Sequence, residues 1–268
     1  MAVRASSYPR EVVVSASQES AATRVVLVHG VRTSRTMWRR QVDLLTSRGL
    51  DVRAVDLPGH GRRRDEPFTL ARARAVLDEA VGDAPGRVVV VGLSLGGYVT
   101  LHWAARGGRC DAVVVSSCTA RPGGTLHRSF IAISRVIAAT GAGADRLSDR
   151  AARLAVGAVG AVDVAAGGLS SAGQATTLTA VLKTDPLADV AALERSGVPL
   201  RFVVGEWDHF RLDERAFRAA APSASWVLVH RANHLVSLHR PAAYGRALLD
   251  ALRDLVPGGR VSGRSTRL

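Results

Sequence analysis

The chain has 268 residues, 47% of them hydrophobic and 22% charged, which suits one large domain or two small ones with a sizeable core and excludes a disordered or fibrous protein. Lysine and arginine total 36 against 23 acidic residues, a formal charge of +13, yet Lys183 is the only lysine; this one-sided usage reads as composition bias and not as a nucleic-acid surface. Two cysteines, Cys110 and Cys118, are too few for a disulfide framework or a zinc set, and the eight histidines have no ligand spacing, so no metal site is expected.

In chain order, Glu11–Ser15 and Arg24–His29 are predicted strands, the second almost wholly apolar. Trp38, Val42 and Leu45 share one face of a helix over Thr36–Arg48, which Gly49 ends. A strand over Val52–Asp56 is broken by Pro58-Gly59, and Thr69 can cap a helix running to about Val81. Arg87–Gly92 (RVVVVG) is the clearest buried strand, followed by a helix from Leu95 to about Ala105 and a strand over Ala112–Ser116. Pro199–Gly205 and Trp226–His230 are two more strands with a helix between them, and a last helix covers Pro241–Leu255. Continuous apolar strands alternating with helices predict an α/β fold, a mostly parallel doubly wound sheet covered on both faces. Thr119–Thr184, rich in Ala and Gly and without a clear strand, reads as an insertion between two strands of that sheet. The expected organisation is a core of residues 1–118 and 185–256, a small helical cap insertion at 119–184, and a disordered tail at 257–268. Met1–Arg10 lacks a signal-peptide apolar run and no stretch is long enough to span a membrane, so no membrane contact and a cytoplasmic location are expected.

The segment that carries chemistry is Gly92-Leu93-Ser94-Leu95-Gly96-Gly97, which follows the strongest strand and opens a helix. That is the context of the G-x-S-x-G nucleophile elbow, a turn so tight that glycines must flank the serine and lift its side chain onto the sheet edge. Ser94 is the candidate nucleophile. Around it the chain resembles the α/β-hydrolase superfamily from about Val25 to Leu255. His29-Gly30 resembles the family's HG loop, Asp56-Leu57-Pro58-Gly59-His60-Gly61 its D-x-P-G-x-G turn, and Gly205-Glu206-Trp207-Asp208 its G-x-x-D turn. Asn233-His234, with His239-Arg240-Pro241 after it, resembles the histidine loop, with Asn233 in place of glycine and His239 in place of an acid.

The resemblance implies a triad of Ser94, Asp208 and His234 in the order Ser…Asp…His, with His234 as base and Asp208 orienting it. It also implies an oxyanion hole made of the backbone N–H groups of Val31 and Leu95. Rival bases are His230, read as packed inside the last strand, His239 at the start of the final helix, and His209 beside the acid; rival acids are Glu206 and Asp213. Ser117-Cys118-Thr119 offers no carboxylate at the alternative acid position. Asp56 and His60 read as loop-structuring residues, and His102 as packing or surface. Candidate substrate contacts are Trp38, which also suits core packing, Phe130, the only aromatic residue of the cap, and Arg32.

A serine at the elbow argues against the Asp-dependent dehalogenases and epoxide hydrolases of the superfamily, and Leu235 against its hydroxynitrile lyases. The expectation is an enzyme, a serine hydrolase of a carboxylic ester, lactone or thioester that works through an acyl-enzyme without a cofactor. Alternatives are a biosynthetic tailoring thioesterase, a C–C bond hydrolase, a cofactor-free haloperoxidase, or a ligand-binding protein on a hydrolase scaffold. Arg32, Arg35, Arg39 and Arg40, with Arg62–Arg64, form either a solvated basic rim or a surface that steers an acidic substrate or carrier domain.

Overall fold

The computed structural model describes residues 23–123, 150, 156–157, 160–166 and 174–255. The strand expected at Glu11–Ser15, most of the cap including Phe130, and the 257–268 tail lie outside the described residues. Among the described residues, six strands form one sheet: β1 (Arg24–Val28), β2 (Asp51–Val55), β3 (Val88–Leu93), β4 (Ala112–Ser116), β5 (Leu200–Gly205) and β6 (Ser225–Val229). Their order is β2-β1-β3-β4-β5-β6, and every pairing is parallel.

The helices are α1 (Arg39–Thr46), α2 (Leu70–Val81), α3 (Leu95–Ala104), α4 (Gln174–Val181), α5 (Pro186–Ser196), α6 (Glu214–Ala220), α7 (Val236–His239) and α8 (Pro241–Leu255). Thr69 does cap α2, its hydroxyl accepting from the N–H of Arg72 at 3.1 Å. The helix expected over Thr36–Arg48 is divided. Its first turn, Arg35–Trp38, is 3₁₀, opened by Ser34, whose hydroxyl accepts from the Thr36 N–H. The one-turn α7 has too few residues to show a helical period and was not expected from the sequence.

Alternation along the strands explains the apolar runs. Val26, Val28, Val88, Val90, Val113 and Val115 face one core, against Leu77, Val99 and Leu193 of α2, α3 and α5. Val25, Leu27, Val89, Val91 and Val114 face a second core, against Leu45 of α1 and Leu248 of α8. Both faces are covered, so the central strands cannot spare a polar position. The two edge strands, β2 and β6, are only partly buried. No described helix is long and apolar enough to cross a membrane.

The chain runs from β1 outward to β2, then returns past β1 to β3 and continues to β6. The winding reverses between β1 and β3, and in an open parallel sheet the crevice at such a switch point, beyond the strand carboxyl ends, is where ligands bind. The HG segment leaves β1 there, and Ser94 leaves β3.

Candidate active site

Ser94 sits between β3 and α3 with φ 54° and ψ −114°, a backbone conformation that side chains resist. Its N–H donates to the Ser116 carbonyl of β4 (2.8 Å), and its carbonyl accepts from Tyr98 N–H (3.1 Å), so both flanking elements hold the turn. Leu95 is the first residue of α3, and a first-turn amide has no acceptor within its own helix. Gly30 lies against the nucleophile: a Cβ built on it would be 3.6 Å from Ser94 Cβ. The HG loop therefore runs beside Ser94, and Val31 follows directly.

His29 ties that loop to its neighbour. Its Nδ1–H donates to the Gly30 carbonyl (2.7 Å), which leaves Nε2 to accept from Leu57 N–H (3.0 Å). The His60 ring packs 5.0 Å from the His29 ring and donates through Nδ1 to the Pro58 carbonyl (2.9 Å). Asp56 accepts from the N–H groups of Arg35 (2.8 Å) and Arg62 (3.1 Å) and pairs with the Arg35 guanidinium. Burial raises the Asp56 carboxyl, but these donors outweigh it and leave a net lowering. Asp56 and His60 thus structure the loop.

Burial, with the neighbouring His60, pushes the His29 imidazole down from 6.5 to about 3. Burial also lowers His60. An unfolded chain binds these protons at a higher pH than the folded one does, so stability falls as pH drops from 6.5 toward 3. At about 1.4 kcal/mol per pKa unit, the loss from His29 alone reaches several kcal/mol. Urea unfolding at about pH 7 and about pH 4.5 should show the loss, and His29→Gln, which still accepts from Leu57, should show a smaller one. Equal losses in both proteins would assign the acid lability elsewhere.

Asp208 ends the turn after β5, and His234 lies in the loop after β6. Gly205 lets these loops meet, because a Cβ there would sit 2.5 Å from the Asn233 carbonyl oxygen. Trp207 N–H donates to the Ala232 carbonyl (2.8 Å) and fixes the approach. The structure then brings all three candidate side chains together. His234 Nδ1–H donates to Asp208 Oδ1 (2.9 Å), and His234 Nε2 faces Ser94 Oγ at 3.0 Å. The Asp208 carboxylate is fully buried and His234 is 18% exposed. Burial raises the Asp208 carboxyl, but the His234 hydrogen bond and charge and the Phe210 N–H (2.9 Å) bring it below its ordinary value.

Three residues pack around the imidazole in contacts that the sequence did not reveal. Ser117 (φ 56°) donates through Oγ to the His234 carbonyl at 2.7 Å. The Phe210 ring lies 4.7 Å from the His234 ring, and the His209 ring 5.2 Å from it. The available signals were the polar triplet ending β4 and the aromatic pair after the acid.

A family model described as the alpha/beta hydrolase family matches residues 25–247. The chain belongs to the alpha/beta hydrolase family. Lipase LipV of Mycobacterium tuberculosis is 40% identical over 90 residues, 32% of this chain and 33% of that protein. The pimeloyl-(acyl-carrier protein) methyl ester esterase of Chromobacterium violaceum is 40% identical over 82 residues, 31% of each chain. The matched stretch thus spans about a third of these curated relatives. Among solved structures, the enol-lactonase from Burkholderia xenovorans LB400 superposes with a TM-score of 0.72 at 23% identity over 87% of this chain and 92% of that one, a likeness of fold.

Within this alpha/beta hydrolase the departures in the histidine loop compensate one another. Asn233 Oδ1 accepts from Leu235 N–H (3.0 Å), and His239 Nδ1 accepts from Asn233 N–H (3.1 Å). His239 therefore braces the loop and ends α7. His230 is a correction: β6 stops at Val229, and the His230 side chain is 79% exposed, 3.6 Å from Glu206. Glu206 is exposed, and Asp213 pairs with Arg121 (2.9 Å). His102 is buried, its Nδ1 3.6 Å from Asp189.

Trp38, expected as core packing or as a substrate contact, takes a packing position. It is wholly buried in the second core, 6.0 Å from the Tyr244 ring. Arg32 takes a left-handed conformation just after Val31 (φ 64°). Four of the clustered arginines hold carboxylates: Arg35 on Asp56, Arg39 (3.0 Å) and Arg40 (3.9 Å) on the buried Asp163, and Arg63 on Glu66 (3.3 Å) and Glu79 (2.6 Å). Arg62 and Arg64 stay exposed.

Proposed function

We propose that this chain is a serine esterase that hydrolyses small or medium carboxylic esters through an acyl-enzyme, with Ser94 as nucleophile, His234 as base and Asp208 as orienting acid. One observation carries this reading: an unbroken contact path from Ser94 Oγ through both imidazole nitrogens to a buried carboxylate, at the switch point of the sheet. The names of the two sequence relatives, a lipase and a methyl ester esterase, support an ester as substrate.

In this cycle Ser94 Oγ adds to the ester carbonyl carbon as His234 Nε2 takes the hydroxyl proton. The oxyanion is held by the N–H groups of Val31 and Leu95, each such donor contributing about 3 kcal/mol. Collapse breaks the C–O bond, and His234 returns the proton to the departing alcohol. Water then adds to the acyl-serine, gives a proton to His234, and releases the carboxylic acid as Ser94 regains its proton. Asp208 holds Nδ1–H and faces the imidazolium formed in both halves.

Fluorophosphonate labelling tests the nucleophile. The expected result is one adduct on Ser94 that fades as the solution is acidified, since only neutral imidazole accepts the proton. Folded protein that takes no label at neutral pH would exclude the esterase. A panel of p-nitrophenyl esters, lactones and acyl thioesters then ranks the substrate classes.

A further inference from the structure

The end of β4 and the residues just after it, Ser116–Thr119, reach the supports of all three triad side chains. The Ser116 carbonyl accepts from Ser94 N–H (2.8 Å). Ser117 Oγ donates to the His234 carbonyl (2.7 Å). Thr119 Oγ1 donates to the Phe210 carbonyl (3.2 Å). Phe210 in turn donates its N–H to Asp208 Oδ1 (2.9 Å) and lays its ring 4.7 Å from the imidazole. The segment is itself anchored. Tyr98 of α3 donates through its hydroxyl to the Ala120 carbonyl (2.6 Å), and Asp213 N–H donates to the Thr119 carbonyl (3.0 Å). Ser116, Ser117 and Thr119 are all buried.

Backbone conformation marks the same place independently. Among the described residues, the non-glycine residues with positive φ are Arg32, Ser94, Ser117 and Arg231. Ser94 is the nucleophile, Arg32 follows Val31, and Arg231 lies in the turn before His234. Ser117, at φ 56°, is the fourth. Such conformations persist where the surrounding structure imposes them, and they cluster at sites that need the resulting geometry. Glycine would take this backbone at no steric cost, but it has no hydroxyl to offer His234.

That hydroxyl meets a need of the triad. His234 Nδ1–H and Phe210 N–H both reach the same Asp208 oxygen, Oδ1. A ring held at one carboxylate oxygen can pivot about that contact, and a pivot carries Nε2 away from Ser94 Oγ, which lies 3.0 Å from it. Fixing the His234 backbone removes this freedom, and Ser117 fixes it from the end of a central strand. On the esterase chemistry above, on which this inference rests, we propose that Ser117 is a positioning residue of the triad. Its bond to the His234 carbonyl sets the imidazole so that Nε2 meets Ser94 Oγ. Ser117 acts through His234, so its effect falls on the chemical step. A displacement of about 1 Å at a reacting group can cost on the order of a hundredfold in rate.

Two variants test this. Ser117→Ala keeps the strained backbone without the hydroxyl, and Ser117→Gly relaxes the backbone without it. On p-nitrophenyl butyrate both should lower kcat roughly ten- to hundredfold and leave KM within about twofold of wild type. Ser117→Gly should nonetheless melt above Ser117→Ala. If Ser117 served stability alone, activity would follow melting temperature and the glycine variant would be clearly the faster of the two, which would overturn the proposal. So would a kcat within about twofold of wild type in both variants, or a loss carried by KM alone.

A spectroscopic measurement separates failure here from failure of the esterase reading. The His234 Nδ1 proton held by Asp208 gives a downfield NMR resonance, assigned by its absence in His234→Ala. It should shift or broaden in both Ser117 variants as the ring loosens, and that change supports the positioning role even if no ester turns over. An unchanged resonance in both variants overturns the role of Ser117, while ester turnover by wild type still decides the esterase.

Discussion

Ser94→Ala should lower kcat/KM on a p-nitrophenyl ester by a thousandfold or more, on the order of what removing a triad nucleophile costs, while the protein stays folded. Asp208→Asn should lower it by about ten-thousandfold, because an amide no longer fixes the imidazole tautomer. Ser94→Gly should abolish turnover equally and also raise the melting temperature. At φ 54°, ψ −114° a side chain stores about 1–3 kcal/mol of backbone strain, and alanine stores the same as serine. Glycine releases it and gives back about 0.5–1 kcal/mol through unfolded-chain entropy. A net gain of about 1 kcal/mol corresponds to about 2–4 °C in a domain of this size. Ester hydrolysis and thermal unfolding of the three proteins check this together. Turnover of Ser94→Ala within tenfold of wild type would remove Ser94 from the chemistry, and a Ser94→Gly protein less stable than Ser94→Ala would deny the strain.

The parts of this molecule that were legible in its sequence are those whose physics is local. A strand buried on both faces must be a short apolar run, so β1, β3, β4 and β5 could be read directly. The elbow could be read because tight turns need glycine at fixed offsets from the serine. His234, Asp208 and Ser94 could be aligned by motif, although 140 residues separate the serine from the histidine. What stayed hidden depends on contacts with no period and no fixed spacing. Ser117 reaches His234 across 117 residues, and the Thr36 hydroxyl reaches the Asp163 carbonyl across 127. The basic rim looked like free charge because Asp56 and Asp163, the carboxylates that hold Arg35 and Arg39, lie elsewhere in the chain. His230 was misplaced for a different reason. An edge strand is apolar on one side only, so its end is poorly marked, and the turn that includes Arg231 (φ 53°) already begins at His230.

Gly96→Ala should be the most destabilising single methyl in the elbow. Its Cβ would lie 2.2 Å from the Val28 carbonyl oxygen and 2.7 Å from that of His29. Both are backbone atoms, at the end of a central strand and at the root of the HG loop, so neither can rotate away. Relief requires α3 to separate from β1, which opens the core around Val28 and Leu95 and shifts the Leu95 N–H that the oxyanion would use. A loss of about 4 kcal/mol or more, the exceptional end for a point substitution, is expected in urea unfolding. Gly97→Ala provides the internal comparison. Its new Cβ would meet Cys118 Sγ at 2.6 Å and Cys118 Cβ at 3.0 Å, both side-chain atoms. Cys118→Ala removes the sulfur, so Gly97→Ala should cost clearly less in the Cys118→Ala background than in wild type. Gly96→Ala should cost the same in both, since the sulfur is not what obstructs it. Coupling of Cys118 to Gly97 and not to Gly96 in this double-mutant cycle is the signature of an elbow wedged against backbone on the β1 side and against one thiol on the β4 side. Equal coupling to both glycines would mean that α3 shifts as a rigid unit, and the steric account of Gly96 would fail.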